Sequence, residues 1–389
     1  MISKYFSQVL PYFFCYPLHI LLEVNMLSCA NDELIRIKTF LEGREKVNVQ
    51  GPPGTGKTWL MAKLMAVEQR SGIALTVTND AAINLFEEIN SQQLMDIQLV
   101  LTPSKMREYR KAIILRDSQE TAGSDLEEVK LGVGTQEWAI GTLGHLGARL
   151  KTEYLNSLWI DESSTMESRC LDQFEFGKIR CFGDVHQLGP FSGEKSVAER
   201  CANQQHWGQV KLNLTRRLRL ASMLPILKFY PDLTSSRPVQ GLRVGNRYME
   251  GTILVPFETD TVNEGSSQTT VYERRWVARA AKALRGARVE TIVSSPYRGF
   301  CDQAGEKSVN QIQGLTTQVL ILALTNREVN EFCCQPERLL VAITRATKIT
   351  MIVGRIDRLK MRRTWFEHSE IVPPKQLLHD LENADITMF

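Results

Sequence analysis

The chain has 389 residues, 43% hydrophobic and 23% charged, the balance of a globular protein rather than a disordered or membrane-embedded one. That length exceeds one ordinary core, so two domains are expected. A net charge of +3 is too small to demand a polyanionic partner, and eight cysteines without a CxxC pair exclude a zinc finger or a disulfide scaffold.

Residues 1–27, "MISKYFSQVLPYFFCYPLHILLEVNML", are rich in Phe, Tyr and Leu but interrupted by Pro11, Pro17, His19 and Glu23. A spanning helix needs about 20 mainly apolar residues, and a signal peptide needs a small-residue cleavage site. The stretch offers no clear membrane segment and is expected to be an apolar packing arm. The cysteine usage suits a reducing compartment, so a cytoplasmic or nuclear protein is expected.

Val47 and Val49 alternate with polar residues as on a strand, while Leu60, Met61, Leu64 and Met65 recur at helical spacing. Between them lies "GPPGTGKT": Gly51, Pro52, Pro53, Gly54, Thr55, Gly56, Lys57 and Thr58. A glycine-rich turn between strand and helix directs backbone N–H groups and the helix N-terminus at phosphate oxygens. Lys57 is expected to reach the β- and γ-phosphates of ATP, and Thr58 to ligate Mg²⁺. Residues 92–135, rich in Lys, Arg and Glu, read as one or two charged helices with "TAGSDLEE" as a turn and new start.

"YLNSLWIDESS" is an apolar strand whose C-terminal edge carries Asp161 and Glu162. Open α/β sheets bind ligands at that edge. Asp161 is expected to hold Mg²⁺, and Glu162 to deprotonate an attacking water, which is hydrolysis rather than transfer to a substrate. A second apolar strand, "IRCFGDVHQLGPF", presents Gln187, placed to touch the γ-phosphate.

"GDVHQLGP" resembles motif III of the superfamily 1 helicases, GD-x-x-Q-L-x-P. In the same order as in that family, "TNDAAINL" resembles motif Ia, "AIGTLGHLG" motif Ic and "LNLTRRLRL" the arginine-bearing motif IV. "SSPYRGF" resembles the Pro-Tyr segment of the second domain, "SVNQIQGLTTQVLIL" motif V, and "RLLVAITRATKITMIVG" motif VI. The resemblance runs from about residue 30 to 370 and is closest to the branch containing the nonsense-mediated-decay helicase and senataxin. Motifs I, III and VI are specific; Ia, Ic and IV would be unremarkable alone.

The resemblance implies an α/β protein of two tandem RecA-like P-loop NTPase domains with mainly parallel sheets. ATP lies in the cleft between them and single-stranded RNA or DNA across both. The arm would be followed by a first domain over 28–208, a second over 209–370 and a tail over 371–389. Arg217 and Arg345 match the two arginine fingers, and Gln313 and Gly314 the coupling motif. Guanidinium suits a finger because its charge is permanent and its donors form a planar fork. Thr78, Asn79 and Thr142 match positions that touch the nucleic-acid backbone, and Pro296 and Tyr297 a segment that lines the strand. Arg217 also reads as a surface arginine beside Arg216 and Arg219, and Tyr297 equally as a core aromatic.

The sequence departs from the family in three places. Leu34 stands where an adenine-reading Gln is expected, and Thr316 where an acidic residue contacts ribose. Few residues separate "SSPYRGF" from "SVNQIQG", so a strand of the second sheet is expected to be missing. These departures keep a second expectation open, a binding module that retains the ATP pocket but cannot unwind. A small-molecule kinase or switch explains neither "GDVHQLGP" nor "VAITRA".

Overall fold

The computed structural model describes residues 22–24, 39–68, 72–91, 97–101, 104–110, 138–142, 157–173, 176–190, 192–236, 241–257, 271–297, 300–301, 306–324, 335–356 and 365–388. In chain order the first unit contains β1 (Leu22–Val24), β2 (Lys46–Gln50), helix α1 (Lys57–Glu68), β3 (Gly72–Thr76) and helix α2 (Asn79–Ser91). It continues with β4 (Ile97–Val100), β5 (Trp138–Thr142), β6 (Ser157–Ile160), β7 (Lys178–Gly183), helix α3 (Val197–Ala202) and β8 (Gly208–Leu212). The strands form one sheet in the order β1-β8-β2-β7-β6-β3-β5-β4, and every pair in it is parallel.

A short ladder of β9 (Leu214–Thr215) and β10 (Thr234–Ser235) follows, then a hairpin of β11 (Leu242–Val244) and β12 (Arg247–Met249). The second unit has β13 (Gly251–Pro256), helix α4 (Val271–Gly286), β14 (Thr291–Ser295), β15 (Lys307–Ser308), β16 (Thr317–Leu324), helix α5 (Pro336–Ile343), β17 (Ala346–Gly354) and β18 (Glu370–Ile371). Its sheet runs β15-β14-β16-β17-β13-β18, again wholly parallel. The expected α/β class with mainly parallel sheets is what the chain adopts.

Parallel sheets are covered on both faces, so their strands read as nearly continuous apolar runs. In the second unit the pleat divides those runs between two cores. Val319, Ile321 and Ala323 face one side with Ile253 and Val255, whereas Leu320, Leu322 and Leu324 face the other with Leu254. The first sheet is divided the same way: Val47, Val49, Trp159 and Phe182 bury on one side, and Leu158, Ile160 and Cys181 on the other.

Four sequence expectations change here. The second sheet keeps its edge strand, shortened to the two residues of β15, because "SVNQ" turns at once into a loop. Within the charged stretch 92–135, Ile97–Val100 is a strand that pairs with β5, since "IQLV" is a short apolar run beside an open edge. Residues 104–110 are helical there, and 111–137 lie outside the described residues. The segment 371–389, expected as a tail, supplies helix α6 (Pro374–Asn383), whose Leu377, Leu378 and Leu381 enter the second core, and β19 (Ile386–Met388), which pairs with β11. Of the apolar arm, Leu22–Val24 pairs with β8, and the first sheet extends through Leu212. Leu34 lies outside the described residues, and among those described no helix is long and apolar enough to cross a membrane.

Arg180, on β7, is fully buried, and its guanidinium donates to the carbonyls of Leu41 (3.1 Å), Arg44 (3.1 Å) and Glu45 (2.9 Å). It thereby pins the turn that feeds β2 and the phosphate loop. Orphaning buried carbonyls costs about 1 kcal/mol or more for each. Arg180→Met is therefore expected to lower unfolding free energy by roughly 3 kcal/mol, read as an earlier urea midpoint at constant slope.

Candidate functional site

The chain turns in opposite directions after β2 and β7: one leads through α1 to β3, the other through α3 to β8 on the far side of β2. The crevice at such a switch point is where open parallel sheets hold ligands. Gly51–Thr58 leaves β2 there, Asp161 and Glu162 leave β6, and Asp184 and Gln187 leave β7.

The loop is braced from behind. The Gly51 N–H donates to Gly183 O (3.1 Å), and the Thr55 hydroxyl and N–H both donate to Pro52 O (2.8 and 3.4 Å). Gly54 and Gly56 take φ of +77° and +83°, the left-handed region that glycine enters without penalty. Gly54 is also pressed against Arg217, where a Cβ would collide with the arginine side chain. The segment bearing Arg217 is sewn to the loop: Thr215 Oγ1 donates to Pro53 O (3.1 Å) and Arg216 N to Gly54 O (2.8 Å). Lys57 is buried, its Nζ donating to Gly51 O at 2.7 Å.

Thr58 Oγ1 donates to Asp161 Oδ2 (2.8 Å), so the two expected Mg²⁺ ligands meet. A hydroxyl and a carboxylate are hard oxygen donors, and Mg²⁺ typically takes one or two such protein groups with water and phosphate filling the rest. Burial, and then the neighbouring Glu162 charge, push the Asp161 carboxyl up to about 6. Its folded pKa thus exceeds the usual 3.8, and the folded state holds the extra proton between about pH 4 and 6. Stability of the metal-free protein should therefore fall as pH rises through that window, by on the order of 3 kcal/mol. Asp161→Asn is expected to flatten this dependence in thermal melts at pH 4.5 and 7.5.

Glu162 is a non-glycine residue at φ +51°, a sparsely populated conformation that costs of order 1 kcal/mol or more. Gln313 Nε2 donates to Glu162 Oε2 (3.3 Å) across the cleft. Arg345 is buried, its Nε donating to Val341 O (2.8 Å) and Nη2 to Thr344 Oγ1 (3.2 Å). Arg217 Nη1 reaches Thr344 O at 3.5 Å, and burial and then Arg345 hold its guanidinium down to about 9. Burial lowers Arg345 as well, while Glu162, Tyr230 and Asp184 oppose that shift. Two mutually repelling guanidinium groups, Arg345 buried and Arg217 half-buried, favour an anion between them and Lys57. Arg217 is half-buried at the cleft wall and sits in a bend rather than on a helix face.

The resulting cleft has a volume of about 1070 Å³, and Lys57, Asp161, Glu162, Gln187, Arg217 and Arg345 all line it. Pro53, Gly54, Gly56, Thr58, Gln313 and Gly314 line it as well, whereas Gly51, Pro52 and Thr55 support the loop from behind. Thr78 and Asn79 open onto the same cleft, Thr78 Oγ1 capping α2 by accepting from Ala81 N (3.1 Å). Thr142 ends β5, and its side chain lies outside the described residues. Pro296 is buried and Tyr297 packs on the second core, so Tyr297 serves at least as a core aromatic.

Sequence reading missed Trp59, Lys105, Arg338 and Tyr230. The first three line the cleft, and Tyr230 binds Asp184 behind Gln187. Arg338 stands seven residues before Arg345, a helical repeat that could have singled it out. No local signal marks Tyr230.

Fold and site together define a two-unit α/β protein of the phosphate-loop class, with cationic groups of one unit facing the loop of the other. No family model matches the chain. Over 95 residues it is 31% identical to an uncharacterised ATP-dependent helicase of Caenorhabditis elegans, a match covering 24% of this chain and 6% of that protein. Among solved structures it is similar to the arterivirus nonstructural protein 10 helicase, at 18% identity and a TM-score of 0.49, covering 81% of this chain and 61% of that one. It is also similar to the helicase MrfA bound to DNA, at 12% identity and a TM-score of 0.45, covering 89% and 50%. The chain thus spans a small part of the curated relative and about half to three-fifths of these structures.

Proposed function

We propose that the chain is an ATP-dependent nucleic-acid helicase or translocase of superfamily 1, moving 5′ to 3′ on single-stranded RNA or DNA, in the branch named above. The observation that carries this reading is the cleft that Lys57, Thr58, Asp161, Glu162 and Gln187 line together with Arg217 and, from the second unit, Arg345. The similarity to an ATP-dependent helicase of Caenorhabditis elegans points the same way.

On this reading the loop N–H groups and Lys57 hold the triphosphate, and Thr58 and Asp161 hold Mg²⁺. The metal, when bound, would neutralise charge on the phosphates. Glu162 accepts the proton of the attacking water. Arg217 and Arg345 stabilise charge on the transferred phosphoryl group. Because Arg345 belongs to the second unit, cleavage of the γ-phosphate removes an attraction between the units. Thr78, Asn79 and Thr142 are the proposed backbone contacts of the polynucleotide on the first unit, with Pro296 and Tyr297 beside it on the second.

The two-residue edge strand β15 favours one other reading, a nucleic-acid binding module that hydrolyses ATP without unwinding. The test is Mg²⁺-ATP turnover with and without single-stranded RNA and DNA, alongside strand separation on a tailed duplex. Stimulated turnover with separation supports the helicase; stimulation without it selects the module. An absence of turnover on both polymers overturns the proposal.

A further inference from the structure

Behind Gln187 lies a hydrogen-bonded relay that reaches into the second unit. Gln187 Nε2 donates to Asp184 Oδ2 (2.8 Å), and the Tyr230 hydroxyl donates to the same oxygen at 2.6 Å. Asp184 Oδ1 accepts from His186 N (3.1 Å), and Gln187 N donates to Asp184 O (3.0 Å). Asp184 and Gln187 are 2% and 4% exposed, so this carboxylate depends on protein donors rather than on water. Tyr230 belongs to the second unit's core, packed with Leu254, Leu320, Leu340 and Trp365, and its ring lies edge-on to His186 at 5.3 Å.

The relay decides what Gln187 shows to the cleft. A side-chain amide has a donor end and an acceptor end, and a flip exchanges them. Asp184 accepts only, so it holds the amino end, and Gln187 Oε1 is left buried without a hydrogen-bond partner. An unpartnered buried acceptor on a residue that lines the cleft is a group awaiting a donor. The chemistry it matches is the hydroxyl of the attacking water, rather than an anionic phosphate oxygen.

We propose that Tyr230 is a positioning residue for hydrolysis: its hydroxyl, delivered by the second unit, orients Asp184, and Asp184 sets the amide of Gln187 to present its carbonyl to the nucleophilic water. This rests on the function proposed above and adds to it the means by which apposition of the two units is registered at the nucleophile. Burial and the adjoining Asp184 raise the Tyr230 hydroxyl, so it remains a donor at any working pH. When the units part, Asp184 loses one of its donors and Gln187 its fixed orientation.

The test compares ATP turnover of the whole chain, with saturating single-stranded polynucleotide, for the native protein, Tyr230→Phe, Gln187→Ala and the double variant. A hydrogen bond to a buried charge is worth about 1.5–3 kcal/mol, or roughly tenfold to a hundredfold in rate. Tyr230→Phe should lower kcat by that factor with KM for ATP changed less than about twofold. In the Gln187→Ala background the same substitution should have almost no further effect, because the relay has lost its end point. A structural role for Tyr230 would lower both backgrounds alike, so equal losses overturn the inference. Native kcat in Tyr230→Phe overturns it too. Absence of turnover in the native chain strikes the functional reading first and this inference with it.

Discussion

Glu162→Gln should bind ATP and scarcely turn it over, with polynucleotide-stimulated hydrolysis reduced by about a thousandfold. Glutamine keeps the shape, tolerates the same backbone position at φ +51°, and still offers an oxygen to Gln313 Nε2. What it lacks is a proton acceptor and a charge. Removing that charge also leaves Arg217 and Arg345 facing each other with less compensation, since Glu162 opposes the burial shift of both. The bound triphosphate can supply that compensation, so nucleotide affinity is expected to hold or to rise. Lys57→Ala should differ in kind, losing binding as well as turnover. Equilibrium binding of a fluorescent ATP analogue, measured beside phosphate release, separates the two. Native turnover in Glu162→Gln would remove Glu162 from the site.

Arg345→Lys is the second large effect, a fall in kcat of about 10³ or more. The guanidinium spends Nε and Nη2 on Val341 O and Thr344 Oγ1, which leaves its other terminal nitrogen uncommitted among the described residues. An ammonium keeps the charge but has no planar fork, so it cannot hold that anchorage and reach the cleft together. A loss as large as that of Arg345→Ala would show that geometry rather than charge is needed. Thermal melts guard against a folding defect, because the replaced side chain is only 2% exposed. Turnover within threefold of native would detach this residue from the reaction.

The elements nearest the phosphate loop were readable in the sequence because their signals are local. Alternation through Val47 and Val49, the glycines at 54 and 56, and the helical repeat from Leu60 all lie within one strand–turn–helix. Asp161 and Gln187 were legible for a similar reason, each following a largely apolar strand within a few residues. Arg217 was less so: three arginines within four residues look like a solvated helix face, and only the docking of Thr215 and Arg216 onto Pro53 and Gly54 places it at the cleft. The "IQLV" strand was hidden because it has only three apolar positions, interrupted by Gln98, inside a longer stretch read as charged helix.

The order of residues alone determined that a phosphate-binding turn exists and which carboxylates share its sheet edge; the expectation of two parallel α/β units came from the resemblance of its motifs. Periodicity and turn chemistry act over a few residues, and those distances are written in the chain. Tertiary structure alone decided the partners that come from far away: Gln313 against Glu162, and Tyr230 against Asp184. It likewise turned residues 374–388 from an apparent tail into a helix and strand of the second unit. Such contacts arise from how apolar faces close over one another, and spacing along a strand or helix carries no record of which distant side chain will be brought alongside.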